Sequence, residues 1–383
     1  SQDSGSVSLH YSKDGFVSDE QLIESGLTDS GSYFWSPVPV DMSSSVRVRV
    51  SFDGDPAVND VSDADLSIDE GGWVGTGSGT EVPRLAVESG GDLYAVYGGG
   101  YGNSTVNRYD FNKHIVDHAT FYCGLNAKIA VDADDQVYLV GKVSADTDCH
   151  LDPGVWEVPD PVTGAGLVVV KLDEQLNFVW AIGFEITTSD LAYGSTVPDI
   201  AVYEMDKVAI AGMYTGAADL DPAAHSGDLP TSSGLDAFVA VFDAADGAFS
   251  WAKAWGGAED DRAAALSFNS AGDLVVGGSF ASDEVDFDPG AGEDLRSRTG
   301  SRAAFAVRYL ADGTYAGSST WGASQDTRVS DVVMDSSDKA YIVGNISGAE
   351  GESVDFEPGP RTTSRTLADD SDAYLVVYDT DGL

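Results

Sequence analysis

Short apolar runs and short polar turns alternate along the chain, in the same order several times over. Each unit opens with an alternating strand: Lys128-Ile129-Ala130-Val131, Ile200-Ala201-Val202, Ala263 to Phe268, and Val329 to Met334. A polar turn follows at Asp132 to Gln136, Ser270 to Asp273 and Asp335 to Lys339. Next comes an almost wholly apolar run ending in Gly: Val137 to Gly141, Val208 to Gly212, Leu274 to Gly278, and Tyr341 to Gly344. Runs of this kind predict strands buried on both faces. A third strand spans Leu167 to Leu172, Ala237 to Phe242, Ala303 to Tyr309 and Ala373 to Tyr378. It leads into Asp246-Gly247, Asp312-Gly313 and Asp381-Gly382 in the last three units, and Asp-Gly is a hairpin signal. The fourth strand carries aromatic residues: Phe178 and Trp180, Phe249 and Trp251 with Trp255, and Tyr315 with Trp321.

An acidic-proline phrase sits between the second and third strands. It reads Leu151-Asp152-Pro153-Gly154, Leu220-Asp221-Pro222, Phe287-Asp288-Pro289-Gly290 and Phe356-Glu357-Pro358-Gly359. The acid steps by 69, 67 and 69 positions, from 152 to 221, 288 and 357. Self-similarity at one period means one supersecondary unit copied along the chain. Four antiparallel strands per copy predict an all-β fold, a β-propeller of six or seven four-stranded blades. Blades fall at about 84–123, 124–190, 191–260, 261–325 and 326–383. The first of these lacks the acidic-proline phrase.

Residues 1–83 repeat only weakly and form an atypical N-terminal β segment. Within them, Ser8 to Phe16 resembles Val376 to Leu383, and Ser44 to Phe52 alternates with period two. The chain stops at Leu383, where a fourth strand is due. Phe16 to Ile23 follows the matching turn and is expected to fill that gap. The alternative is a strand from a neighbouring molecule, which gives assembly by strand addition.

Composition sharpens this picture. The 383 residues are 42% apolar, enough for a real core, and include 44 Gly, which suits many tight turns. Against 64 acidic residues stand 20 basic ones, a net charge of −44. Such a field repels nucleic acid and anionic membrane surfaces, and it attracts cations. High-salt adaptation, Ca²⁺ sites and plain solubility all fit it. No apolar run is long enough to span a bilayer. The two cysteines, Cys123 and Cys149, are a candidate disulfide between neighbouring blades if the protein is secreted; two free or buried thiols are the alternative.

The acidic loops are the leading chemical candidate. Asp286 and Asp288 flank Phe287, so both carboxylates point to one side of an extended segment. Asp219 with Asp221 and Asp355 with Glu357 repeat that arrangement, and Asp152 is its lone counterpart beside His150. Calcium would need carbonyls and water to complete such a site. The competing reading is an Asp-type turn with an apolar core plug between the acids. Phe242 to Trp251 is similar to the tryptophan-docking phrase of quinoprotein propellers, in one blade only. Trp180, Trp251, Trp255 and Trp321 are expected to pack between blades.

The phrases Val285-Asp286-Phe287-Asp288-Pro289-Gly290, Asp236 to Ala240, Ser250-Trp251-Ala252-Lys253 and Trp255-Gly256-Gly257 resemble bacterial β-propeller repeats of large secreted and surface proteins. The resemblance covers about residues 124–383 well and 84–123 weakly. It implies the propeller fold and an extracellular or cell-surface location. The resulting expectation is a structural, adhesive or protein-interaction module without catalytic activity, stabilised by calcium and self-assembling. A lectin-like glycan binder and a propeller enzyme of glycosidase or quinoprotein type are the alternatives.

Overall fold

The computed structural model describes residues 6–12, 16–28, 47–53, 55–61, 84–87, 91–97, 104–110, 114–121, 126–143, 151–152, 166–186, 198–221, 224, 227–290, 292–356 and 363–379. Among them every regular element is a β-strand, and all strand pairs are antiparallel apart from one isolated bridge. The chain divides into two units, Ser1–Thr80 with Asp110–His114, and Glu81–Tyr109 with Ile115–Leu383.

The larger unit is a propeller-type succession of blades, one per sequence repeat. Blade 1 joins Arg84–Val87, Leu93–Tyr97, Ser104–Tyr109 and Ile115–Phe121. Blade 2 joins Asn126–Val131, Val137–Val143, Gly166–Leu172 and Phe178–Glu185. Blade 3 joins Asp199–Tyr203, Lys207–Asp219, Asp228–Asp243 and Phe249–Trp255. Blade 4 joins Asp261–Phe268, Leu274–Phe280, Ala303–Tyr309 and Tyr315–Trp321. Blade 5 has three described strands, Thr327–Met334, Lys339–Ser347 and Ser371–Asp379. First strands of blades 2 to 5 lie against one another, so they form the inner side of the stack.

The turns explain the abundance of Asp. Asp132 Oδ1 accepts from the amides of Asp134 and Gln136, at 3.0 and 2.9 Å. Asn269 and Asp335 hold the same turn in blades 4 and 5. The left-handed position of that turn falls on Asp135, Gly272 and Asp338, residue types that tolerate positive φ.

Blades pack through aromatic and aliphatic side chains on both faces. Trp180 Nε1 donates to Ala244 O of the next blade at 3.2 Å, and Trp251 Nε1 donates to Ala311 O at 3.2 Å. Gly247 and Gly313 sit against these indoles; a Cβ at Gly313 would lie 2.8 Å from the Trp251 ring. The same tryptophan dock therefore works at two successive interfaces, each indole resting on a Gly of the following blade.

The smaller unit is one sheet, in the order Gln21–Thr28, Ser6–Ser12, Arg47–Phe52, Asp55–Val61. The C-terminal part of the segment expected to complete the last blade pairs with its own neighbour, Tyr11 opposite Gln21 and His10 opposite Leu22. A local hairpin needs only a short loop to close, whereas reaching the last blade spans nearly the whole chain.

Candidate functional site

The acidic-proline loops of blades 3, 4 and 5 are hairpins. In blade 4, Asp286 Oδ1 accepts from the amides of Asp288 at 3.0 Å and Asp294 at 2.8 Å. Asp219 Oδ1 accepts from Asp221 N at 2.8 Å, and Asp355 Oδ1 from Thr363 N at 2.9 Å. The first acid of each pair thus holds its own loop. The residue between the acids is a plug: Phe287 is fully buried among Trp255, Phe280 and Phe305, with ring centroids 4.9 Å apart for the last pair. Leu220 and Phe356 are buried likewise.

Each hairpin reaches back to the preceding blade. Leu151 and Asp152 pair with Phe121 and Thr120, adding a strand to blade 1. Ala218 of blade 3 bridges Ile186, just beyond the last strand of blade 2. Ser324, just beyond blade 4, donates its amide and hydroxyl to Glu352 in the blade 5 hairpin region, at 2.7 and 2.6 Å.

Among the described residues, no three His, Cys, Asp or Glu side chains gather where a metal ion would bind. Asp288 and Asp221 each donate their amide to the preceding acid of the pair, Asp286 and Asp219. Glu357, Cys123 and Cys149 lie outside the described residues, as does the side chain of Asp152.

A buried acid, Asp261, and a half-buried one, Asp236, lie together where blade 3 passes into blade 4. Asp261 is fully buried and accepts four hydrogen bonds, from Gly257 N, Ala281 N, Ser282 N and Ser282 Oγ. It caps the Trp255-Gly256-Gly257 connection. Asp236 faces the same Gly256, and its buried Oδ1 has no hydrogen-bond partner. Burial first, then the neighbouring Asp261 charge, pushes the Asp236 carboxyl up to about 6. The sequence showed too many carboxylates to single out this pair.

Blade 5 holds the second unforeseen feature, a bare apolar face. Cross-strand register places Val377, Tyr341 and Val333 in one row. Leu375 and Val343 share the next row. Val333, Val343, Leu375 and Val377 are 54%, 38%, 60% and 46% exposed. The opposite face, with Val332, Ala340, Ile342 and Tyr378, is buried against blade 4. Only one edge of Ser371–Asp379 is paired among the described residues. The expectation of burial on both faces for Tyr341 to Gly344 therefore fails, because among the described residues no neighbouring blade covers this side. At the other end of the stack, Ala86, Tyr94 and Val96 face blade 2. Alternation turns Leu85 and Val87 the opposite way, 47% and 66% exposed.

No family model matches the chain. The regulatory protein FlaEY of Caulobacter vibrioides is 28% identical over 244 residues, which is 63% of this chain and 24% of that protein. The chain thus spans about a quarter of that relative's length. Among solved structures it is similar to a PQQ-bound aldose sugar dehydrogenase of Streptomyces coelicolor, 13% identical with a TM-score of 0.33. That match covers 77% of this chain and 82% of the other. It is also similar to a quinohemoprotein alcohol dehydrogenase of Comamonas testosteroni, 12% identical with a TM-score of 0.34, covering 74% and 43%. Both neighbours are named as enzymes, which does not support the expectation of a chain without catalytic activity. At these TM-scores the likeness gives this chain neither their substrate nor their cofactor.

Proposed function

We propose that the chain is a propeller-type assembly module of the secreted and cell-surface repeat class, binding a second copy of itself through blade 5. The observation that carries the reading is the bare face and open edge of Thr327–Met334, Lys339–Ser347 and Ser371–Asp379. Contiguous exposed apolar surface rimmed by polar residues marks an interaction site. A second copy is the fitting occupant because the blades repeat. Blade 1 turns outward the side that, in blades 2 to 5, receives the preceding blade, so it complements the bare side of blade 5. Such a head-to-tail contact is heterologous and propagates until it closes. The open edge adds main-chain hydrogen bonds to the same contact.

The net charge of −44 opposes this contact at low ionic strength. Light scattering should therefore show a mass that rises with protein concentration and with salt. Leu375→Asp and Val377→Asp should hold the protein at single-chain mass while its circular dichroism stays unchanged. Single-chain mass for the unmodified protein at every concentration and salt level would sink the reading. Chelator in the same experiment tests calcium at the acidic hairpins. A fall in mass or melting temperature adds the ion to the account, and no response leaves the hairpins as hydrogen-bonded ties.

A second reading, a propeller enzyme acting on sugars, draws support from Asp236. A carboxyl raised to about 6 beside a buried carboxylate has the protonation behaviour of a general acid. Incubation with an oligosaccharide panel tests it. Product formation abolished by Asp236→Asn would support it, and no turnover on the panel would count against it.

A further inference from the structure

We infer that the junction of blades 4 and 5 carries a binding site for a small oxyanion, built from Arg262, Arg302 and Arg328. In a chain with 64 acidic and 20 basic residues, arginines find carboxylates easily. Arg302 and Arg328 share a single one: Arg302 Nε lies 3.4 Å from Asp326 Oδ1, and Arg328 Nε 2.7 Å from Asp326 Oδ2. Arg262 has no ion pair at all among the described residues, and its buried Nε has no hydrogen-bond partner. Arg302 and Arg328 thus share one carboxylate, and Arg262 adds a third cation close enough to feel both of their charges.

The fold holds this imbalance in place. Arg262 and Arg328 occupy the second position of two neighbouring inner strands, Asp261–Phe268 and Thr327–Met334. Alternation turns Arg262 away from Asp261, whose own carboxylate is fully engaged by backbone amides and Ser282. Arg262 stands in register with Ser279 and, across it, Ala304. Ala304 packs in the cluster shared by blades 4 and 5, so this row faces blade 5. Arg302 is fixed from the other side, where its amide and that of Ser301 donate to Gln325 O. Its carbonyl accepts from Thr327 N.

Burial and the charges of Arg328 and Arg302 both disfavour the Arg262 cation. A buried guanidinium N–H without a partner in such a setting is costly. An anion with several oxygens would satisfy the buried Nε and balance the excess charge, and guanidinium forks suit it by geometry. Phosphate and a small dicarboxylate offer the same oxygen arrangement. The acidic field around the site disfavours large polyanions and leaves small ones, whose approach improves as salt screens that field.

Calorimetric titration with inorganic phosphate, and separately with malonate, at fixed ionic strength in chloride tests the site. Saturable binding of one anion per chain by either ligand is the expected result, and the tighter of the two identifies the preferred class. Arg262→Gln and Arg328→Gln should each weaken it about tenfold or more, the loss of one charged hydrogen-bond partner. Arg328 is mostly exposed, so its variant folds even if the Arg262 variant does not. Absence of saturable binding by both anions, or equal affinity in the Arg328 variant, would overturn the site.

Discussion

Blade 4 and blade 5 follow one sequence rhythm and end in different states. In blade 4 the second strand, Leu274–Phe280, is buried at every position, and the third, Ala303–Tyr309, at all but one. In blade 5 the second strand alternates between buried and more exposed positions, and the third is exposed or half-buried at every position but Tyr378. Their apolar residues are alike; what differs is the neighbour. Blade 4 lies between two blades, whereas the described residues bring only one to blade 5. Burial in a repeat fold is a property of pairs of units, and a unit at the end of a stack keeps half its adhesive surface.

The largest expected contrast lies in the hairpin plugs. Phe287→Ala should cost about 3–5 kcal/mol, because it empties a ring cluster closed on every side. Phe356→Ala, slightly exposed and on the end blade, should cost less in the same urea titration. Equal losses would mean that blade 5 is as enclosed as blade 4.

Leucines sharpen the comparison. Leu266→Ala, in the buried inner strand of blade 4, should cost about 2–5 kcal/mol. Leu375→Ala should change single-chain stability by no more than about 0.5 kcal/mol, since that side chain is mostly in water. A large loss at Leu375 in dilute protein would show its face covered.

A smaller effect isolates the tryptophan dock. Gly313 and Gly351 both have φ near +80°, so Ala at either pays a backbone penalty of about 1–2 kcal/mol. Only at Gly313 would the new Cβ also meet an indole, while Gly351 has open space. Gly313→Ala should therefore melt at a lower temperature than Gly351→Ala. The reverse order would remove the dock from the account.

The smallest effect is in pH. Asp236 binds its proton more tightly in the folded chain than at the ordinary 3.8, rising to about 6. Its contribution to stability is whole below 3.8 and is lost as pH rises through about 6. The melting-temperature difference, unmodified protein minus Asp236→Asn, should fall across that window. A flat or rising difference would show that Asp236 is an ordinary solvated acid.

Much of the fold was legible in the sequence because it is local. Apolar runs mark strands, and Asp-rich turns mark the chain reversals that the Asp132 and Asp335 carboxylates hold by accepting from the amides of Gln136 and Lys339. The plug role of Phe287 was legible too, from its place between two polar residues. What escaped depends on partners distant in sequence. Nothing in Val377 or Leu375 says that no blade covers them. The pairing of Phe16 to Ile23 turned on competition between a near and a far strand, and composition does not decide that. The arginine cluster left one faint sign, Asp261-Arg262 and Thr327-Arg328 at equivalent repeat positions. Its convergence on Asp326 required the register.

The most direct test of the open blade is amide hydrogen exchange over Ser371–Asp379 at rising protein concentration. The account predicts alternate amides that exchange fast in dilute protein and become protected as the mass increases. Protection of every amide at the lowest concentration would mean that another part of the same chain already pairs this edge, and the assembly reading would fall.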